Sequence, residues 1–251
     1  MPDRHPPDSA GAQADSGPAG QADAVAATQA GERRGSLRRG LFFGAVVVVV
    51  AGLVVLLGVL GPPREAGVFT DRLGPERGEQ IADYLARARD SLSGTDDGEH
   101  WALVSFTEAV APEQIPPHSG GLRIAQVLYQ VQLPRVQTPL VAVPVPAGDA
   151  AAVASADAAA WLLPRPGPDE RSARIIALSA DRLRAGCPCT VGLVLRGPLD
   201  RLRNLATQNG IRAVQALPAD AVAGRFAVIP LLPGQLDTAL PGPDDGPVPD
   251  R

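Results

Sequence analysis

Only two residues of this 251-residue chain carry a thiol, Cys187 and Cys189, and they stand one residue apart in "AGCPCTVGLVL", Ala185 to Leu195. Three chemistries suit such a pair: a local disulfide, a redox couple, or two ligands of a soft metal. A bridge needs Cβ atoms about 4 Å apart, which an extended stretch does not give, so it requires a turn that Pro188 helps by fixing φ. As a staple it is weak, worth ~1.6 kcal/mol by loop entropy against ~3 kcal/mol for a fifteen-residue loop. Strained bridges of this kind are also easier to reduce. The pair follows Gly186, the stop signal of a predicted helix, and the negative end of a helix dipole disfavours thiolate. Arg182 and Arg184 in the last turn offset that only in part. The residues therefore point to a structural role, as a local disulfide or as apolar packing of Cys187, with redox switching or intermolecular pairing as the alternative. Zinc normally takes four ligands, and beyond the thiols the chain offers only His5, His100 and His118.

Other candidates carry less. "HSGG", His118 to Gly121, sets serine beside histidine, but no G-x-S-x-G elbow exists to present a nucleophile. "TDDGEH", Thr95 to His100, is acidic but lacks the alternating ligands and distant glutamate of a calcium loop, and reads as a solvated connection. Arg123 with Gln126 and Arg212 with Gln215 recur at the same spacing. Residues three apart on a strand face opposite sides, so each pair needs a bulge to converge. Arg123 and Arg212 are a candidate pseudo-symmetric anion site, weighed against ordinary surface charge. Ser36 in "RRGSL" is a candidate phosphorylation site, weighed against arginines that only set orientation and touch anionic lipid. Nothing here calls for a cofactor.

The elements that would position these residues begin with a membrane anchor. "LFFGAVVVVVAGLVVLLGVL", Leu41 to Leu60, has neither charge nor proline, and twenty helical residues reach about 30 Å, the thickness of a bilayer's hydrocarbon core. Arg33, Arg34, Arg38 and Arg39 precede it, while only Arg64, offset by Glu65, closely follows, so the N-terminus is expected in the cytoplasm and the rest outside. Disulfides persist in such a compartment. The bilayer is thus one expected partner. Nucleic acid is excluded, because the net charge is -4 and the only basic run lies beside the span.

Composition divides the remainder. Residues 1–40 are rich in Ala, Gly, Pro, Ser, Asp and Gln and read as a disordered tail, 61–75 as a linker, and 236–251 as a second disordered tail. Between them lie a first half, 76–148, a connecting helix and loop, 149–168, and a second half, 169–235. Helices are predicted over "GEQIADYLARARDSLSG", over "DAAAVASADAAAWLL", and from Asp169 to Gly186. Strands are predicted at "WALVSF", "LRIAQVLYQVQL", "LVAVPV" and "TVGLVL".

"GLRIAQVL" at Gly121 aligns with "GIRAVQAL" at Gly210, an offset of 89, and at the same offset Ala102 to Phe106 falls on Val191 to Leu195. Each half then reads helix, strand, short helix, strand, loop, strand. This pattern predicts an α+β fold, a two-layer extracytoplasmic domain built from a duplicated ferredoxin-like unit with a mostly antiparallel sheet. Matching strands would lie adjacent and antiparallel, which separates His100 from the thiols.

With its arginine-flanked anchor, "ALVSFTEAVAPEQ", "GCPCTVGLVLRGPLDRL" and "RFAVIPLLPGQ", the chain resembles single-span membrane proteins of high-GC Gram-positive bacteria. The resemblance covers Trp101 to Gln235 at most. It implies the architecture and brings no activity or catalytic residue. The expected role is non-enzymatic, binding a protein or cell-envelope partner, with a thiol-responsive envelope protein as the alternative.

Overall fold

The structure is a computed structural model that describes residues 71–250. The expected membrane span, the N-terminal tail and Ser36 lie outside the described residues. No helix among the described residues is long and apolar enough to cross a membrane.

The elements follow in the order β1 (Arg72–Leu73), α1 (Ile81–Asp90), β2 (Glu99–Val110), β3 (Arg123–Gln130), β4 (Leu140–Pro144), α2 (Asp149–Val153), α3 (Ser155–Leu162), α4 (Glu170–Arg184), β5 (Thr190–Pro198), α5 (Leu199–Ala206), β6 (Ile211–Ala216) and β7 (Ala227–Val228). Five strands form an antiparallel sheet in the order β4-β3-β5-β2-β6. The matching strands β2 and β5 are its central neighbours, running from Glu99 opposite Pro198 to Val110 opposite Thr190.

One face of the sheet is built by Ala102, Val104, Phe106, Ile124, Tyr129, Leu193, Leu195 and Val214. These pack into one core with Ala156 and Ala159 of α3, Ile175, Leu178 and Leu183 of α4, and Leu199, Leu202 and Leu205 of α5. The other face is covered as well. Leu103, Leu128, Val191 and Val194 lie under Leu73, Val228 and Leu232, and Ala213 packs with Ile81, Tyr84 and Ala88 of α1. The domain is therefore three layers deep rather than two. Strands with apolar residues on both faces need a cover on each, and "TVGLVL" and "WALVSF" are apolar without alternation.

The cover on the second face comes from segments read as linker and tail. Arg72 and Leu73 pair in parallel with Ala227 and Val228. Residues 236–250, expected to be disordered, run as a strap. The Asp237 carbonyl accepts from the Ile81 N–H at 2.9 Å, Ala239 N–H donates to the Glu79 carbonyl at 2.9 Å, and Val248 is buried in the main core. Three further departures are local. α1 ends at Asp90, short of the Gly94 that closes the predicted stretch, and buries Ile81, Tyr84 and Ala88. The connecting alanine-rich helix is split at Ala154 into α2 and α3. The short helix of the first half is replaced by two 3₁₀ turns, Pro112–Gln114 and Pro117–Ser119, because three prolines within six residues remove the N–H groups that a longer helix needs.

Candidate functional site

Helix α4 delivers the cysteines to the start of β5. Asp169 caps its first turn, accepting from the Ser172 N–H at 2.8 Å. Gly186, at φ 71°, turns the chain out of it, and the Cys187 N–H donates to the Arg182 carbonyl at 3.1 Å. Pro188 bends the chain, the Cα atoms of Cys187 and Cys189 come within 5.3 Å, and the two sulfurs are bonded. Cys189 is buried and Cys187 half-buried against the main core. His100 stands opposite Gly197 at the far end of β5, away from the thiols. Among the described residues no three His, Cys, Asp or Glu side chains gather in a metal-holding group.

His100 and the loop serine Ser119 are structural. His100 is buried, with Nδ1 2.7 Å from the Leu217 carbonyl and Nε2 2.8 Å from Asp96 Oδ1. The hydrogen bond from His100, with another from the Gly98 N–H, holds the Asp96 carboxyl below its usual range. The "TDDGEH" stretch is an exposed connection at Thr95, Asp96, Asp97 and Glu99, as expected, and is tied to the sheet at His100. Ser119 is buried and donates to the Pro116 carbonyl at 2.8 Å, closing a turn.

Arg123 and Arg212 do not form one site. Arg123 is the first residue of β3 and Arg212 the second of β6, and the two strands run in opposite directions, so the arginines lie at opposite ends of the sheet. The residue facing Arg123 is Arg196. Arg212 is half-buried and spent on the chain's own backbone, donating to the Leu232 carbonyl at 3.0 Å and to the Gln235 carbonyl.

A groove was not legible in the sequence. It lies where the β3–β4 loop meets the strap and comprises two adjoining depressions of about 580 and 360 Å³ that share Gln130, Gln137, Thr138, Leu232 and Gln235. Amides hold its walls: Gln137 Nε2 donates to the Gly242 carbonyl at 2.7 Å, Gln130 Nε2 to the Thr138 carbonyl at 3.2 Å, and Gln235 Nε2 to the Leu240 carbonyl at 3.2 Å. Two ion pairs fasten strap to body, Arg171 with Asp244 at 3.0 Å and Arg135 with Asp245. Hydrogen bonds from the Gln137 N–H and from Arg171 hold the Asp244 carboxyl below its usual range. Large apolar side chains stand out along the rim: Leu140, Ile229, Leu236 and Leu240 are 38, 46, 73 and 46% exposed. The cluster of glutamines at 130, 132, 137 and 235 was the only available signal.

Comparisons with protein-family models, curated proteins and solved structures found no match.

Proposed function

We propose that the chain is a single-span membrane protein whose domain, carried outside the cell membrane by Leu41–Leu60, binds a protein or envelope component without catalysing a reaction. The observation that carries this reading is the amide-walled groove with its exposed apolar rim. Four large aliphatic side chains exposed around one concavity are unusual for a surface with no partner. Its polar groups are tied to main-chain atoms, which suits holding a ligand rather than transforming one.

The domain is read as a duplicated helix-and-strand unit. Three features support that reading: the strand order β3-β5-β2-β6, which is ferredoxin-like; the 89-residue offset; and the matching glycines Gly121 and Gly210, with φ at 68° and 84°. The third strands of the two halves differ, since β4 extends the main sheet while β7 pairs with β1.

The test has two arms. Protease added to intact cells should remove the domain and leave the N-terminal tail, and a domain that survives until lysis reverses the topology. A photo-crosslinking amino acid in place of Leu240 should yield an adduct in intact cells, and its absence removes the groove as the binding surface.

A second reading, a thiol-responsive envelope protein, is favoured by one observation: the bridged pair has Cys187 half-buried and Pro188 exposed, within reach of an attacking thiolate. Mass measurement after thiol blocking of the folded protein tests it. A bridge that resists strong reductant until the protein unfolds eliminates that role.

A further inference from the structure

Arg123 and Gln126 on β3 correspond, 89 residues on, to Arg212 and Gln215 on β6. Each strand carries one extra residue between or beside the pair. β3 steps from Ile124 opposite Leu195 to Gln126 opposite Val194, passing over Ala125. β6 steps from Ile211 opposite Phe106 to Ala213 opposite Ser105, passing over Arg212. A one-residue bulge brings positions three apart onto the same face. For both pairs it is the face under β1 and β7. Gln126 lies opposite Val194 and Gln215 opposite Leu103, and Val194 and Leu103 both pack beneath Leu73 and Val228.

In the second half the pair is occupied by the chain itself. Gln215 Oε1 accepts from the Gly74 N–H at 2.7 Å while its Nε2 donates to the Arg72 carbonyl at 3.1 Å, so one amide reads both backbone polarities of β1. Arg212 donates to the carbonyls of Leu232, Pro233 and Gln235. Two pieces of backbone are held with no use of their side chains.

In the first half the same pair is open. Arg123 is exposed and Gln126 half-exposed, and beside them Leu140, Ala142 and Pro144 of β4 are exposed too. Across the sheet Arg123 faces Arg196, which faces Trp101. Arg196 is paired with Glu99 at 3.3 Å and lies over the Trp101 ring, whereas no carboxylate among the described residues pairs with Arg123. Like charges directly opposite on a sheet cost stability unless something answers them.

We propose that Arg123 and Gln126 form the docking site for an extended polypeptide segment of a partner protein, held through its backbone as Gln215 and Arg212 hold β1 and Leu232–Gln235. The Gln126 amide would exchange a hydrogen-bond pair with one stretch of main chain, and Arg123 would take carbonyl oxygens beyond it. The small apolar surface of Ala142 and Pro144 sets a preference for small or aliphatic side chains. A lone anion would use only the donors of this site, whereas a stretch of main chain answers both the donor and the acceptor of the amide. This inference rests on the duplication and the binding role set out above.

The experiment places a photo-crosslinking amino acid at Ala142 of the full chain in the cells that make it, with the Leu240 crosslinker as companion. The expected result is a polypeptide adduct that maps by mass spectrometry to one short segment and falls about tenfold or more in Arg123→Ala with Gln126→Ala, the loss of one charge-assisted hydrogen bond or more. The thermal midpoint should not fall, since Arg123 is exposed and its removal relieves the charge facing it on Arg196, and Arg123→Glu alone should reduce the adduct in the same direction. An Ala142 adduct that contains no polypeptide, or one indifferent to the substitutions, overturns the proposal. An adduct at Leu240 with none at Ala142 overturns it while leaving the binding role intact, and no adduct at either site removes both.

Discussion

Tyr84 is fully buried between α1 and β6, and burial pushes its hydroxyl up to about 12, against small lowering effects of Ser105 and Arg87. Neither its oxygen nor that of Ser105 reaches hydrogen-bond geometry. The neutral form is favoured in the folded state, so this stability is complete below the ordinary value of 10.0 and is lost as pH rises toward about 12. A shift of that size amounts to roughly 2–3 kcal/mol. Tyr84→Phe should leave stability at neutral pH equal or up to about 1 kcal/mol higher, because it deletes an unpartnered buried hydroxyl. It should also flatten the alkaline loss, read as denaturant midpoints between pH 9 and 12. At the cysteines, Cys187→Ser with Cys189→Ser should cost ~1.6 kcal/mol or less, since the closed loop is so short. A loss of several kcal/mol would mean that packing of Cys189 in the core outweighs the bridge. The thiols were visible in the sequence as a possible corner, whereas the state of the bridge depends on where Pro188 turns the chain.

Among the elements, α4 was the most legible, because its start and stop are both local. Asp169 after Pro168 supplies the cap and Gly186 the left-handed exit, and neither depends on tertiary contacts. Asp169→Ala should remove the bond to the Ser172 N–H and cost about 1 kcal/mol, measured as a lower thermal midpoint with an unchanged far-ultraviolet spectrum. The apolar strands β2 and β5 were also legible, from runs of Val and Leu. The bulges at Ala125 and Arg212 were not. A bulge is a mismatch between two strands, and a single strand's sequence does not contain its partner's register. That is why Arg123 and Gln126 read as facing opposite sides when their strand in fact turns them to one.

At the scale of the whole molecule, the strap decides the second face. Residues 236–250 carry four prolines, and by composition alone they resemble a disordered tail. They are ordered because the body supplies partners: Glu79, Ile81, Arg135 and Arg171 all hold them. At Gly246 the fit is close, its N–H donating to the Arg135 carbonyl at 2.7 Å where an added Cβ would lie 2.6 Å from the Pro134 carbonyl. Ending the chain after Gln235 should expose the sites of Ala239 and Val248 and lower stability by about 2 kcal/mol or more. For a domain of this size that is a drop of roughly 4–8 °C in the thermal midpoint. A free tail would leave the midpoint where it is, and the groove would be expected to vanish along with its wall.

By itself the sequence determined what neighbouring residues dictate: the cap and stop of α4 and the apolar strands. Only the tertiary structure decided which strands are neighbours, where their registers slip, and that a proline-rich end becomes the wall of a groove. Local signals act over a few residues of chain. Register, burial and the binding of one segment by another depend on groups tens of residues apart, which meet only once the sheet has formed.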